Sequence, residues 1–186
     1  MGKYQNKFRN ESSRLRSWDY GSDGGYFITI CSAGREHYFG EIMDSNEMEL
    51  SEIGKYVYKC WSDIPEHFPF VLLDAFIVMP DHLHGIIFIN KNNVDGNMIF
   101  VVGTQNFASL QYPNTRVKPK NKFGPQSQNL ASIIRGFKIG ITKYARINKI
   151  DFCWEPRYYD HIIRNTAELE RIRYYIMTNP KNWGSG

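Results

Sequence analysis

Cysteine is scarce and scattered in this sequence. Cys31, Cys60 and Cys153 form no Cys-x-x-Cys pair and leave an odd count, which argues against a disulfide framework and for a reduced, cytosolic protein. No apolar run reaches the ~18 residues that a membrane span requires. The opening residues, MGKYQNKFRNESSRLRSW, lack the apolar stretch of a secretory signal. Acidic residues are missing altogether from Arg116 to Lys149, a stretch that holds nine Lys or Arg residues. The reverse holds from Glu36 to Glu66, where eight acids face only Lys55 and Lys59, while the first twenty residues carry five bases against Glu11 and Asp19. The mild net charge of +4 thus hides a segregated one. Such separation suits a positive surface that follows a phosphate backbone, or else a solvated face with no partner.

A chain of 186 residues, 42% hydrophobic and 23% charged, suits one globular domain whose core needs no disulfide or metal. Residues 1–186 read as that single domain, with a basic arm over 1–20 and a flexible or functional insertion over 90–128. The insertion is rich in Asn, Gly, Pro and Lys, with Met98–Val102 as a short strand inside it. Tyr26–Cys31, Phe70–Met79 and Gly85–Ile89 read as strands, and Phe39–Leu50 as a hairpin turning at Asp44-Ser45-Asn46. Ser51 opens one helix that ends near Pro65. Leu130, Ile133, Ile134, Phe137, Ile141 and Tyr144 mark the apolar face of a second, whose flanks carry Arg135, Lys138, Lys143 and Arg146. Asn165, followed by Glu168 three residues on, caps a third that stops at Asn179-Pro180. The pattern predicts an α+β domain built on an antiparallel sheet.

His82 and His84 stand one residue apart at the start of a strand between LLDAFIVM and GIIFI. Period-2 alternation sends both imidazoles to one face and Leu83 into the core. Two neutral imidazoles so placed suit a divalent cation, although a His-x-His pair is also an ordinary hydrogen-bonded surface feature. In the last helix Leu169, Ile172 and Ile176 form the buried stripe. Tyr175 and Asn179 share its edge, and Tyr174 projects to solvent. If that helix packs on the histidine face, Tyr175 and Asn179 reach the metal region; otherwise Tyr175 is a boundary aromatic with a solvated hydroxyl. Together these residues read as a phosphoryl-transfer site. His82, His84 and Asn179 would hold Mg²⁺ or Mn²⁺, and the Tyr175 hydroxyl would attack phosphorus.

Three motifs carry a resemblance: Met79-Pro-Asp-His82-Leu-His84-Gly-Ile-Ile, Trp154-Glu-Pro-Arg157-Tyr-Tyr-Asp160-His161-Ile-Ile-Arg164-Asn165, and Arg173-Tyr-Tyr175-Ile-Met-Thr-Asn179-Pro180. The chain resembles the single-tyrosine HUH transposases (the IS200-like transposases), most closely their REP-associated branch, over nearly its whole length except 90–128. The resemblance implies a ferredoxin-like (RRM-like) palm with helices packed on an antiparallel sheet. It also implies cleavage and rejoining of single-stranded or hairpin DNA through a 5′-phosphotyrosine, assisted by Mg²⁺ or Mn²⁺. It assigns the nucleophile to Tyr175 and the metal ligands to His82, His84 and Asn179, the last standing where many relatives have Gln.

Flexible strands are held by cations and stacking aromatics. That casts Arg135, Lys138, Lys143, Arg146, Arg157 and Arg164 as backbone contacts, Trp154, Tyr158 and Tyr159 as candidates for stacking, and Arg14 and Arg16 of the arm as contacts to a hairpin stem. The expected setting is the cytoplasm, nucleoid-associated when DNA-bound, as a monomer or homodimer. Two other readings stay open: a non-catalytic nucleic-acid-binding protein on the same fold, and a metal-dependent nuclease that uses water.

Overall fold

Two periodicities, of 2 and of 3.6 residues, account for the architecture. The computed structural model describes residues 17–91 and 127–183, together with Leu15 and the backbone of 3–4 and 7–8. Arg14, Arg16 and the strand expected at Met98–Val102 lie outside these residues. At the start of the chain β1 (Lys3–Tyr4) and β2 (Lys7–Phe8) form a two-residue antiparallel ladder. Alternation along β3 (Gly24–Cys31) sends Tyr26, Ile28 and Ile30 to one face of the main sheet and Phe27 and Thr29 to the other. The expected hairpin forms from β4 (Gly40–Ile42) and β5 (Met48–Leu50), with Asn46 at φ +60° in its turn, a conformation that asparagine tolerates.

Ser51 caps α1 (Glu52–Ser62) by accepting from Gly54 N. A second short helix, α2 (Ile64–His67), follows with Pro65 in its first turn, where its missing N–H costs nothing. Next come β6 (Val71–Val78) and β7 (His82–Ile89), so the histidine pair begins the strand instead of belonging to the connection before it. After α3 (Leu130–Ile147) and β8 (Tyr159–Ile163), Asn165 caps α4 (Thr166–Thr178) by accepting from Glu168 N. The Glu168 carboxylate reaches back one residue further than a simple capping box, accepting from Arg164 N at 2.8 Å.

The four main strands run in the order β6-β7-β3-β8, all antiparallel. With α1 between β3 and β6 and α3 between β7 and β8, this is the ferredoxin-like arrangement, an α+β palm. α1 and α3 cover one face, where the main core gathers Tyr26, Ile28, Ile30, Leu83, Ile87, Val57, Trp61, Ile133, Phe137 and Ile141. The stacked rings of Tyr56 and Tyr144, 3.9 Å apart and 12° from parallel, join these two helices. Among the described residues α4 covers the opposite face, setting Leu169, Ile172 and Ile176 against Ile86, Phe88, Ile163, Phe27 and Leu72.

Gly85 lets the Trp61 ring lie directly against β7, because a Cβ there would meet Trp61 Cζ2 at 2.3 Å. Gly85→Ala is expected to destabilise the fold by about 1–3 kcal/mol through overpacking. The measurement is a lower urea midpoint at unchanged m-value.

Candidate functional site

The site forms where β7 begins, on the face that α4 covers. Strand alternation places the His82 and His84 side chains there while Leu83 enters the main core, fully buried. In register, Cys31 of β3 faces His82 and Thr29 faces His84. Both imidazoles are buried, 8% and 5% exposed, and each is anchored through its Nδ1. His82 Nδ1 bonds Asp81 Oδ1 at 2.5 Å, and His84 Nδ1 bonds Thr29 Oγ1 at 2.8 Å. The two Nε2 atoms then point at each other across 3.0 Å. Asp81 is steadied in turn by Arg35 Nη1 at 3.4 Å from Oδ2. Phe27 stacks on the His84 ring at 5.4 Å, and the half-buried Trp183 lies 5.9 Å from His82.

Burial disfavours the charged form of both rings. It pulls His84 down to about 3, with the His82 and Arg35 charges pushing the same way. Burial also lowers His82, although Asp81 opposes it. Both imidazoles are therefore neutral at pH 7 and carry lone pairs.

Helical geometry brings Tyr175 over this pair. Its hydroxyl lies 3.2 Å from His84 Nε2, its ring 5.1 Å from the His84 ring, and Phe27 meets it edge-on at 6.1 Å. Tyr174, one residue earlier, is 67% exposed. Asn179 ends the same helix one turn beyond Tyr175 and is half-buried. Among the described residues, no hydrogen bond joins its side chain to either imidazole.

The donor set accommodates a divalent ion. Two ligands at right angles on an ion with bonds of ~2.1 Å lie ~3.0 Å apart, which is the observed spacing of the two Nε2 atoms. Among the described residues no three of His, Cys, Asp and Glu converge as a metal site.

The basic residues of α3 gather elsewhere. Arg135, Lys138, Lys143 and Arg146 line a groove of about 610 Å³ between α3 and the Pro156–Tyr158 segment leading into β8. This groove belongs to the α1/α3 side of the sheet, opposite the histidine face. Lys138 is not available there as a free cation, because its ammonium donates to Glu155 O at 2.5 Å and Arg157 O at 3.4 Å, and burial lowers its pKa. Arg135, Lys143 and Arg146 are exposed and form no ion pair among the described residues. Arg157 precedes β8 and Arg164 follows it, both exposed.

Of the stacking candidates, Trp154 joins the core cluster of Phe39, Phe137 and Phe152, and Tyr158 lines the α3 groove. Tyr159 is 52% exposed on the histidine face, edge-on to Phe27. His161 takes Glu168 as its partner at 2.7 Å, across to α4, and not the adjacent Asp160. Thr29, Phe27 and Trp183 were not singled out by residue type. Only the β3–β7 register brings Thr29 to His84.

The described residues thus place a buried imidazole pair beneath a helix-borne tyrosine on a ferredoxin-like palm. No family model matches the chain. It is 42% identical over 173 residues to an uncharacterised protein of Haemophilus influenzae, covering 92% of this chain and 88% of that one. A second H. influenzae protein, described as a "putative REP-associated tyrosine transposase", is 25% identical over 166 residues, covering 89% and 75%. The solved structure of a REP-associated tyrosine transposase bound to a REP hairpin shares the fold, with a TM-score of 0.55 at 17% identity over 94% of this chain and 75% of that one. The chain belongs to one family with the first of these H. influenzae proteins, and it is similar to the second, the "putative REP-associated tyrosine transposase".

Proposed function

We propose that the protein cleaves and rejoins single-stranded or hairpin DNA through a covalent 5′-phosphotyrosine on Tyr175. The observation that carries this reading is the Tyr175 hydroxyl, 3.2 Å from His84 Nε2 on a helix packed over the histidine face. The phenol oxygen attacks the scissile phosphorus, the P–O3′ bond breaks, and the products are a tyrosyl 5′-phosphate and a free 3′-OH. The proton lost by the phenol is balanced by the one the departing 3′-oxygen gains through solvent. Because the phosphoester energy stays in the adduct, a 3′-OH can reverse the step and rejoin a strand without ATP. Mg²⁺ or Mn²⁺ held by His82, His84 and Asn179 would supply Lewis-acid stabilisation of charge on the phosphate oxygens. His82 and His84 are suited to that hold because burial keeps them neutral.

Arg135, Lys143 and Arg146 supply phosphate contacts in the α3 groove, with Tyr158 as an aromatic wall. Lys138 braces that wall through the 155–157 carbonyls. Arg157 and Arg164, at the two ends of the edge strand β8, lead the DNA from that groove toward the nucleophile. Arg14 and Arg16 take the stem of a hairpin. The whole of 1–186 acts as one domain, in the cytoplasm with the nucleoid.

The test is incubation with short single-stranded and hairpin oligonucleotides from the DNA flanking its own gene, in the presence of Mn²⁺. A DNA adduct that survives denaturing electrophoresis is expected. A 5′-phosphate product with no adduct would make water the nucleophile, and DNA binding with no cleavage would make the protein a non-catalytic binder.

A further inference from the structure

His82 and His84 are anchored by partners of different chemistry, and the difference bears on how the pair accepts an ion. Asp81 is a carboxylate, which only accepts, so His82 carries its proton on Nδ1 and presents a lone pair at Nε2. Thr29 is a hydroxyl, which can donate or accept. With Thr29 donating to His84 Nδ1, the His84 proton sits on Nε2 and bonds His82 Nε2 across the observed 3.0 Å. Every ring nitrogen is then satisfied, and the Tyr175 hydroxyl, 3.2 Å from His84 Nε2, can only accept a share of that N–H. With Thr29 accepting, the proton moves to Nδ1 and two Nε2 lone pairs face each other across 3.0 Å. The Tyr175 hydroxyl, 3.2 Å from His84 Nε2, can serve only that one of them, so the arrangement is unfavourable unless a cation lies between them.

Resting on the metal reading of the site, we propose that Thr29 is a positioning residue that sets the tautomer of His84. Its hydroxyl donates in the ion-free protein and accepts when a divalent cation is bound. The placement favours this role. Thr29 is half-buried in the central strand β3, directly opposite His84 in the β3–β7 register. An imidazole bound to a cation makes its remaining N–H a stronger donor, so the hydrogen bond to Thr29 is worth more in the loaded state than in the empty one. Losing it therefore weakens ion binding, and does not merely loosen the strand. Outer partners of metal-bound histidines typically matter by 10–100-fold in affinity.

The experiment titrates Mn²⁺ into wild-type protein, Thr29→Val and Thr29→Ser, following the loss of the free-ion EPR signal, with thermal melts to verify folding. Valine keeps the shape and removes the hydroxyl, and is expected to weaken Mn²⁺ binding by about 10-fold or more. Serine restores the hydroxyl and is expected to bind near the wild-type level. Imidazole ¹⁵N spectra of the wild type read the tautomer directly and do not depend on how valine is tolerated. His84 is expected as Nε2–H without ion and as Nδ1–H with Mg²⁺. Equal Mn²⁺ affinity in Thr29→Val, weak binding in Thr29→Ser, or an unchanged His84 tautomer would each overturn the assignment to Thr29. A wild type that binds no Mn²⁺ would remove the metal reading itself, and with it this role.

Discussion

Tyr175→Phe is expected to abolish the covalent DNA adduct while leaving DNA affinity within about twofold of wild type. The change removes one oxygen, whose recorded partner is His84 Nε2. The ring keeps its packing against Phe27 and His84, and Tyr175 is 45% exposed, so stability falls by at most about 1 kcal/mol. Loss of a nucleophile is among the largest single effects in catalysis, and adduct formation should drop at least about 10⁴-fold. Tyr174→Phe is the internal comparison. That side chain is 67% exposed on the far side of the helix, and the substitution should leave the adduct yield unchanged. Denaturing gels with end-labelled oligonucleotide measure both. Adduct that persists in Tyr175→Phe and vanishes in Tyr174→Phe would overturn the assignment of the nucleophile.

The contrast between these adjacent tyrosines was legible because it is local. A rotation of 100° per residue separates Tyr174 from Tyr175 whatever the helix packs on. The shared face of His82 and His84 follows equally directly from the two-residue repeat of a strand. The caps at Ser51 and Asn165 depend only on residues three positions away.

What remained hidden depends on strand order and register, which no local period encodes. Thr29 meets His84 from 55 positions away, and His161 turns from its neighbour Asp160 to Glu168 on another element. The cations of α3 were readable as a group, but their side of the sheet was not. That side follows from α3 being a crossover that returns with α1 to one face, while α4 is left to cover the other. Lys138 shows the limit most plainly. Its position on the basic flank was evident, yet the carbonyls that occupy its ammonium arrive with the segment before β8.

The same non-local pairing governs how the tyrosine helix is held. Arg173→Ala is expected to cost about 2–4 kcal/mol of stability at pH 7 and to misplace Tyr175. The apolar hold on α4 is modest, since only Leu169, Ile172 and Ile176 are buried, and polar contacts pin the helix at both sheet edges. At the β8 edge Glu168 meets His161. At the β6 edge Arg173 Nε donates to Asp74 Oδ1 at 2.8 Å and Nη2 to Oδ2 at 2.5 Å. Asp74 sits where the β6–β7 register shifts between Leu73 and Phe76, and its side chain is only 7% exposed. Truncating Arg173 strands that carboxylate, and an unpaired buried charge costs about 3–5 kcal/mol. The lower figure expected here allows for the 27% exposure of the Arg173 side chain, through which water can enter.

The pH dependence gives the sign. Burial alone would raise the Asp74 carboxyl, but Arg173 and the Ala75 N–H outweigh it and hold it below the ordinary aspartate value. In wild type this contribution is present above the unfolded-state value and lost as pH falls through the lower folded one. Without Arg173, burial dominates and raises Asp74 above its unfolded value, so its contribution is present at low pH and lost as pH rises. The stability gap between wild type and Arg173→Ala should therefore narrow as pH falls from 7 toward 4, as read from urea melts. Adding Asp74→Ala should recover much of the loss at pH 7, because the stranded charge is gone. Its adduct yield should nevertheless stay low, since the bidentate contact that fixes the helix over His84 is absent. A gap that is constant with pH would mean that Asp74 finds another cation when Arg173 is removed.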